Sequence, residues 1–190
     1  MTDPCLPEKL LPPNILGWFR SRGWTPHAHQ LAMLEAARDG VSALLIAPTG
    51  GGKTLSGFLP SLTDLSERPR EGLHTLYISP LKALAVDIQR NLESPVAELR
   101  LPIRTETRTG DTPAAKRQRQ RTKPPHILMT TPESLALMLS YRDAGSIFRG
   151  LRCVVIDELH ALAGTKRGDL LALGLARLSV LAPGARRVGL

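Results

Sequence analysis

The 190-residue chain is poor in aromatic residues and cysteines and has no long apolar segment. No apolar run approaches the roughly 20 residues that a membrane-spanning helix needs, so we expect no membrane partner. The N-terminus, Met1 to Pro7, lacks the basic and apolar regions of a secretory signal. The five histidines are scattered without Cys/His spacing, which predicts no zinc site. Of the two cysteines, Cys153 lies in an apolar run typical of a buried, reduced thiol.

The composition is otherwise that of an ordinary globular domain, with 42% hydrophobic and 22% charged residues. The net charge of +8 indicates a polyanionic partner or simply a basic surface. More than half of that charge comes from the segment Arg104 to Lys123, which has seven basic and two acidic residues. No aromatic residue lies there, so contact with nucleic acid would involve phosphates rather than stacked bases.

Strand-like and helix-like segments alternate along most of the chain, which predicts an α/β fold with a mostly parallel sheet and helices on both faces. Residues 1–13 are rich in proline, and we predict a flexible lead-in followed by one domain over residues 14–190. The run Ser42 to Ala47 is continuously apolar, which is typical of a strand buried on both faces. Further strands are predicted at residues 74–79, 103–107, 126–130, 151–157 and 186–190.

A glycine-rich turn follows the first predicted strand and precedes a predicted helix. Its sequence is Ala47-Pro48-Thr49-Gly50-Gly51-Gly52-Lys53-Thr54. Backbone N–H groups of Thr49 to Gly52, backed by a helix N-terminus, can surround phosphate oxygens. Lys53 would reach the β- and γ-phosphates of ATP, and the Thr54 hydroxyl would bind Mg²⁺. The alternative is a glycine-rich turn without a ligand.

Two acidic residues, Asp157 and Glu158, stand at the carboxyl end of the predicted strand at residues 151–157. Ligands of open α/β sheets bind at this end of the strands. Asp157 could hold Mg²⁺ through water, and Glu158 could orient or deprotonate the attacking water. An acidic pair in this place can also be the solvated start of a turn, but the upstream glycine-rich turn favours the catalytic interpretation.

Together, Ala47 to Thr54 and Asp157-Glu158-Leu159-His160 resemble the DExH-box ATPases of helicase superfamily 2. Other segments follow the order of that family: Gln30, Ser79 to Leu84, Thr109-Gly110-Asp111 and Thr130 to Leu135. The sequences of Tyr77 to Asp87 and of His160 to Gly168 are similar to those of the Lhr-type helicases, in particular the bacterial ligase-associated DEXH-box branch. The resemblance covers the chain from about Trp18 onward and implies a RecA-like P-loop NTPase lobe.

The resemblance also assigns roles to single residues. Gln30 would read adenine, and His160 would couple the hydrolysis site to the bound strand. Nucleic-acid contacts would come from a set at predicted strand ends and helix starts: Ser79, Pro80, Lys82, Thr109, Gly110, Thr130, Thr131 and Pro132. From the residues alone, a surface Gln is more often only solvated. The hydroxyls of Ser79, Thr109 and Thr130 are explained at least as well as helix N-caps.

The arginines Arg117, Arg119 and Arg121 alternate with glutamines. Such a run is usually a solvated helix face. The alternative is a helix that lines the path of the nucleic acid, in which case its arginines would raise affinity and salt dependence.

The function expected from the resemblance is an ATP- and Mg²⁺-dependent DNA helicase or translocase, acting in DNA repair with repair partners in the bacterial cytosol or nucleoid. An RNA or RNA–DNA hybrid helicase, or a non-catalytic nucleic-acid-binding scaffold, stays open. Family members bind ATP between two RecA-like lobes. We expect this chain to be the first lobe, ending before a Ser-Ala-Thr motif, and to bind ATP without unwinding a duplex alone.

Overall fold

The structure, a computed structural model, describes residues 6–47 and 51–190. The strands are β1 (Ala43–Leu44), β2 (Thr75–Ile78), β3 (Thr105–Arg108), β4 (Ile127–Thr130), β5 (Cys153–Ile156) and β6 (Arg186–Gly189). They form one sheet in the order β1-β6-β5-β2-β4-β3, and every pair is parallel. The predicted α/β class with a parallel sheet is therefore confirmed.

The helices occupy both faces of the sheet. They are α1 (Leu6–Leu10), α2 (Pro13–Ser21), α3 (Ala28–Arg38), α4 (Lys53–Glu67), α5 (Lys82–Glu98), α6 (Ala114–Thr122), α7 (Pro132–Leu139), α8 (Ala144–Phe148), α9 (Leu159–Leu162) and α10 (Lys166–Leu181). Within the described ranges, no helix is long and apolar enough to cross a membrane.

Alternation along the buried strands divides the core into two layers. Tyr77, Met129 and Val155 face the layer formed with α2 to α5, whereas Ile78 and Ile156 face the layer formed with α7, α8 and α10. The sheet is sandwiched in this way because side chains of a strand alternate between its faces. The same alternation directs Asp157, two residues after Val155, toward the face covered by α4.

The predicted lead-in is wrong from residue 6 onward. Residues Leu6–Leu10 form α1, and the side chains of Leu10 and Leu11 are each only 4% exposed in the core. Prolines 7, 12 and 13 suggested a loose segment, but apolar residues between them supply burial that outweighs the local composition.

The first strand is also shorter and less buried than predicted. Of the run Ser42 to Ala47, only Ala43–Leu44 is extended and paired, at the edge of the sheet beside β6. Leu44 and Ile46 are 60% and 88% exposed. An apolar run does not reveal whether a neighbouring strand lies on both sides, so the two-sided burial was wrong.

Helices α8 and α9 were not predicted, since each has five residues or fewer. Helix α4 continues through Pro60, and α5 continues through Pro95 to Glu98. The predicted burial of Cys153 is confirmed, whereas Cys5 lies outside the described residues.

Candidate functional site

The carboxyl ends of the strands bring most of the predicted site residues to one edge of the sheet. Asp157 follows β5, Ser79 follows β2, Thr131 follows β4 and Thr109 follows β3. These four strands are neighbours in that order, and Asp157 N donates to the Ile78 carbonyl, one residue before Ser79. These residues thus stand at strand ends, and the parallel sheet brings them to one edge.

The end of the glycine-rich turn has a conformation that requires glycine. Gly52 is the N-cap of α4 and has φ of +74°, in the left-handed region that favours glycine. A Cβ at this position would lie 3.0 Å from Gln30 Nε2. Gly51, Lys53 and Thr54 lie beside it, whereas the predicted Thr49 and Gly50 lie outside the described residues.

Gln30 is not the solvated surface residue that its helical position suggests. Its side chain is 2% exposed, and its Oε1 accepts a hydrogen bond of 2.9 Å from the backbone N–H of His27. The Nε2 group faces Gly52, as the contact above shows. The structure therefore places the predicted adenine-reading residue directly against the glycine-rich turn.

Asp157 is a buried carboxyl group, 8% exposed. Burial raises its pKa, and the nearby positive charge of Lys53 acts in the opposite direction. The Asp157 Oδ1 accepts a 3.0 Å hydrogen bond from the N–H of Glu158. Lys53 and Asp157, which are more than 100 residues apart in sequence, are thus electrostatic neighbours.

Tyr77 is a site residue that the sequence analysis missed. It is fully buried, stacks on Phe58 at 4.7 Å, and its hydroxyl is oriented toward Asp157 and Thr54. That hydroxyl has no partner of standard hydrogen-bond geometry within the described ranges, and burial raises its pKa. The sequence did offer one indication, a tyrosine in the middle of an apolar strand. A buried tyrosine hydroxyl usually has a hydrogen-bond partner, so a polar neighbour could have been expected there.

Glu158 stands in a strained backbone conformation. Its φ is +48° and its ψ +45°, which is uncommon for a residue with a side chain. Such strain is typical of functional sites that the surrounding fold holds in place. The Glu158 side chain is 40% exposed and forms an ion pair of 3.2 Å with the exposed His160. The acid therefore projects outward beside the buried Asp157.

These residues fit a bound Mg²⁺ and triphosphate. Gly52 has a left-handed φ and lies against the end of the Gln30 side chain. Asp157 is a buried carboxyl group that senses the charge of Lys53, and the Tyr77 hydroxyl is buried without a full partner. Carboxylate and hydroxyl oxygens are the donors that Mg²⁺ takes from proteins. We call Gly52, Lys53, Thr54, Asp157 and Glu158 the cradle site.

Most of the hydroxyl groups predicted to contact nucleic acid form hydrogen bonds within the protein. Thr130 is fully buried, and its Oγ1 donates to the Arg108 carbonyl at 2.8 Å. The Thr131 hydroxyl caps α7 by accepting from Ser134 N, and Thr109 N donates to Thr112 Oγ1 at 2.9 Å. The alternative that Ser79, Thr109 and Thr130 are helix N-caps is wrong, because the N-caps of α5, α6 and α7 are Leu81, Pro113 and Thr131. Pro132 opens α7 as predicted.

Two exposed ion pairs line the neighbouring groove. Lys82 Nζ lies 2.9 Å from both carboxylate oxygens of Asp111, and Gly110 lies beneath Lys82. Arg167 bonds Glu133 through two nitrogens, at 2.5 and 3.1 Å, which lowers the pKa of Glu133 to about 2. We call the space lined by Lys82, Gly110, Thr131, Glu133 and Arg167, about 420 Å³ in volume, the ion-pair groove.

The basic helix α6 is not simply a solvated face, because two of its arginines contact neighbouring elements. Arg119 pairs with Glu106 at 2.7 Å, and Arg121 pairs with Asp143 at 2.9 Å while lying 4.4 Å from the Tyr141 ring centre. The fully buried Arg108 donates to the Tyr141 hydroxyl at 2.8 Å. Two of the three arginines therefore hold α6 to its neighbours, and a nucleic-acid path along α6 stays a prediction.

Comparison with known proteins agrees with this geometry. The sequence profile described as DEAD/DEAH box helicase matches residues 27–190. The chain is 43% identical over its full length to the Lhr helicase/uracil glycosylase of Escherichia coli strain K12, of which it covers 14%. It is 41% identical, again over its full length, to the ATP-dependent helicase Lhr-Core protein 2 of Thermococcus barophilus, of which it covers 24%.

A solved structure is similar in fold as well as in sequence. The structure of Mycobacterium smegmatis helicase Lhr bound to ssDNA and AMP-PNP superposes with a TM-score of 0.87 at 40% identity, covering 94% of this chain and 24% of that one. The predicted RecA-like lobe is thereby confirmed. The chain spans a quarter or less of the length of these three proteins.

Proposed function

Because the chain belongs to the DEAD/DEAH box helicase family, we propose that it is the ATP-binding motor lobe of an Lhr-type helicase or translocase that moves on DNA. The observation that carries the proposal is the cradle site. Two sequence motifs more than 100 residues apart meet there, with a buried acid beside Lys53 and a strained Glu158 next to it.

In this proposal each cradle-site residue has one task. The N–H groups of the glycine-rich turn and Lys53 bind the phosphates, with Thr49 and Gly50 included by sequence alone. Thr54 and Asp157 hold Mg²⁺, Asp157 through water, and the ion supplies neutralisation of charge on the phosphates. Gln30, held against Gly52, contacts the adenine.

Glu158 orients and deprotonates the attacking water. Its outward position supports this role, because the carboxylate stays accessible while the neighbouring Asp157 is buried. His160 pairs with Glu158 at 3.2 Å. It is therefore placed to relay strand binding to the acid across this contact.

The ion-pair groove is the proposed contact with the DNA backbone. Lys82 and Arg167 are exposed, and each is neutralised by a carboxylate that a phosphate could replace. Ser79, Thr130 and Thr131 then act through the backbone of the strand ends rather than through their bonded hydroxyls, and Thr109 contacts the strand from the end of β3. The M. smegmatis Lhr helicase structure contains bound ssDNA, which supports DNA as the substrate.

The whole protein's activity includes more than this lobe. A second RecA-like lobe would close over the cradle site and supply arginines to the transferring phosphoryl group, a contribution of about 10³–10⁵ in rate. Membership of the ligase-associated branch, a role in DNA repair with repair partners, and a location in the bacterial cytosol or nucleoid follow from the resemblance and complete the proposal.

The test is steady-state ATP turnover of the full-length protein with and without single-stranded DNA, followed by unwinding of DNA, RNA and hybrid duplexes. We expect turnover to rise with single-stranded DNA and unwinding to require ATP. Faster unwinding of RNA or hybrid duplexes than of DNA would show that DNA is not the preferred substrate. Absence of turnover with retained DNA binding would show a non-catalytic scaffold and overturn the proposal.

A further inference from the structure

A cavity of about 450 Å³ lies at the amino ends of the strands, away from the cradle site. Helix α4 connects the two places, since Lys53 begins the helix and Thr63 to Glu67 end it beside the cavity. The cavity is also lined by Cys153 at the start of β5 and by Arg186 at the start of β6. The proposed helicase function uses none of these residues.

The cavity is unusually rich in guanidinium groups. Its basic lining residues are Arg38, Arg68, Arg70, Arg152 and Arg186, against the acidic residues Asp64 and Glu67. The Asp64 carboxylate already has partners, because its Oδ2 lies 2.8 Å from His74 Nε2 and 3.2 Å from Arg70 Nη2. Within the described ranges, Arg68 and Arg152 have no acidic partner. The cavity therefore has a surplus of positive charge.

Two polar groups inside the cavity wall lack partners. The Thr63 side chain is 7% exposed, and its hydroxyl has no hydrogen bond to any described residue. The same is true of the Nη1 atom of Arg186. An unpaired buried hydroxyl destabilises the fold, and an unpaired buried charged group does so more strongly. An anion bound against this wall would supply the partner that each group lacks.

We propose that this cavity binds a small phosphate-containing anion with two or more negative charges. Arginine is suited to this class because its planar fork donates two parallel hydrogen bonds to phosphate oxygens. The volume is that of a small-molecule site, since such sites span about 300–1,000 Å³. Thr63 and Arg186 bind the buried end of the anion, and Arg68 and Arg152 bind its exposed end.

The test uses inorganic pyrophosphate as the probe, titrated calorimetrically into the full-length protein whose cradle site is saturated with a non-hydrolysable ATP analogue. Saturable binding of one equivalent is expected. Thr63→Val keeps the shape of the side chain and removes only the unpaired hydroxyl, so it should leave the free energy of unfolding unchanged or raise it. Its affinity for pyrophosphate should fall about tenfold or more, as for a lost bond to a charged group.

Arg152→Gln is the second variant, and its exposed position makes folding safe. It should also lower the affinity for pyrophosphate. Arg90 is an exposed arginine on α5 outside the cavity, and Arg90→Gln should leave that affinity within about twofold. Absence of saturable binding at millimolar pyrophosphate would overturn the proposal. So would equal affinity in the unmodified protein, Thr63→Val and Arg152→Gln. Tighter binding of citrate than of pyrophosphate would overturn the phosphate class.

Discussion

The cradle site and the ion-pair groove lie on the same edge of one sheet, yet they are stabilised in different ways. The cradle site is fixed by the core: Gly52 has a left-handed φ that favours glycine, Asp157 is buried and Glu158 is held in a strained backbone conformation. The groove is closed by exposed ion pairs, which contribute about 0–1 kcal/mol each. The difference suits their proposed tasks, since chemistry needs fixed groups and translocation needs contacts that form and break.

The largest effect is expected from Gly52→Ala, which probes the rigidity of the cradle site. The added Cβ is disfavoured at φ of +74° and meets Gln30 Nε2 at 3.0 Å. We expect kcat/KM for ATP to fall about 100-fold, as when reacting groups are displaced by about 1 Å. Gly23→Ala is the matched control, because Gly23 has φ of +67° but open space around it. An equal loss of activity in both variants would assign the effect to general instability.

Asp157→Asn separates stability from activity at the cradle site. Burial holds the pKa of Asp157 above its ordinary value of 3.8, so the folded state binds this proton more tightly than the unfolded state does. The carboxyl group therefore lowers stability as the pH rises above 3.8. The uncharged variant should have a higher Tm than the unmodified protein at neutral pH without ligand, while ATP turnover falls between tenfold and about 100-fold. A lower Tm would contradict the burial argument.

Tyr77→Phe tests whether the unpartnered hydroxyl positions the metal-binding residues. We expect an unchanged or higher free energy of unfolding and about a tenfold loss of ATP turnover. A shift in the Mg²⁺ concentration that half-saturates turnover would distinguish positioning from a merely structural role.

Tyr141→Phe is its control. It removes the hydroxyl that accepts from the buried Arg108, so it should destabilise the fold by about 1–3 kcal/mol and leave turnover unchanged. Equal turnover in Tyr77→Phe and the unmodified protein would remove Tyr77 from the site.

The smallest effect is expected in the ion-pair groove. Lys82→Ala should change the free energy of unfolding by less than about 0.5 kcal/mol, because the pair with Asp111 is exposed. Affinity for single-stranded DNA should fall, and the slope of log affinity against log salt should flatten by about 1. Arg20→Ala, which removes an exposed pair with Glu8, should leave both DNA quantities unchanged. An unaltered salt slope in Lys82→Ala would exclude Lys82 from the DNA contact.

The same contrast explains what could be predicted from the sequence. The strands β2, β4 and β5 are short apolar runs, and the cradle-site motifs directly follow strands, so the parallel sheet and its functional edge were predictable. Burial of Gln30 and the role of Tyr77 were not, because both depend on which distant residue faces them. The edge position of β1 was missed for the same reason, since sheet order is set by tertiary packing.

The ion pairs of the groove and of α6 could not be predicted either. Arg121 and Asp143 are 22 residues apart, and Arg167 and Glu133 are 34 apart. Charge alone indicated nucleic acid or solvent for these arginines, whereas the fold gives Arg121 a structural task beside Tyr141.

The most direct test of the central claim is ATP turnover by Glu158→Gln in the full-length protein with single-stranded DNA present. Glutamine keeps the size of the side chain but cannot accept a proton. We predict unchanged ATP affinity and a loss of kcat of about 10²–10⁴-fold. Turnover equal to that of the unmodified protein would show that Glu158 is not the water-activating acid and would contradict the assignment of the cradle site.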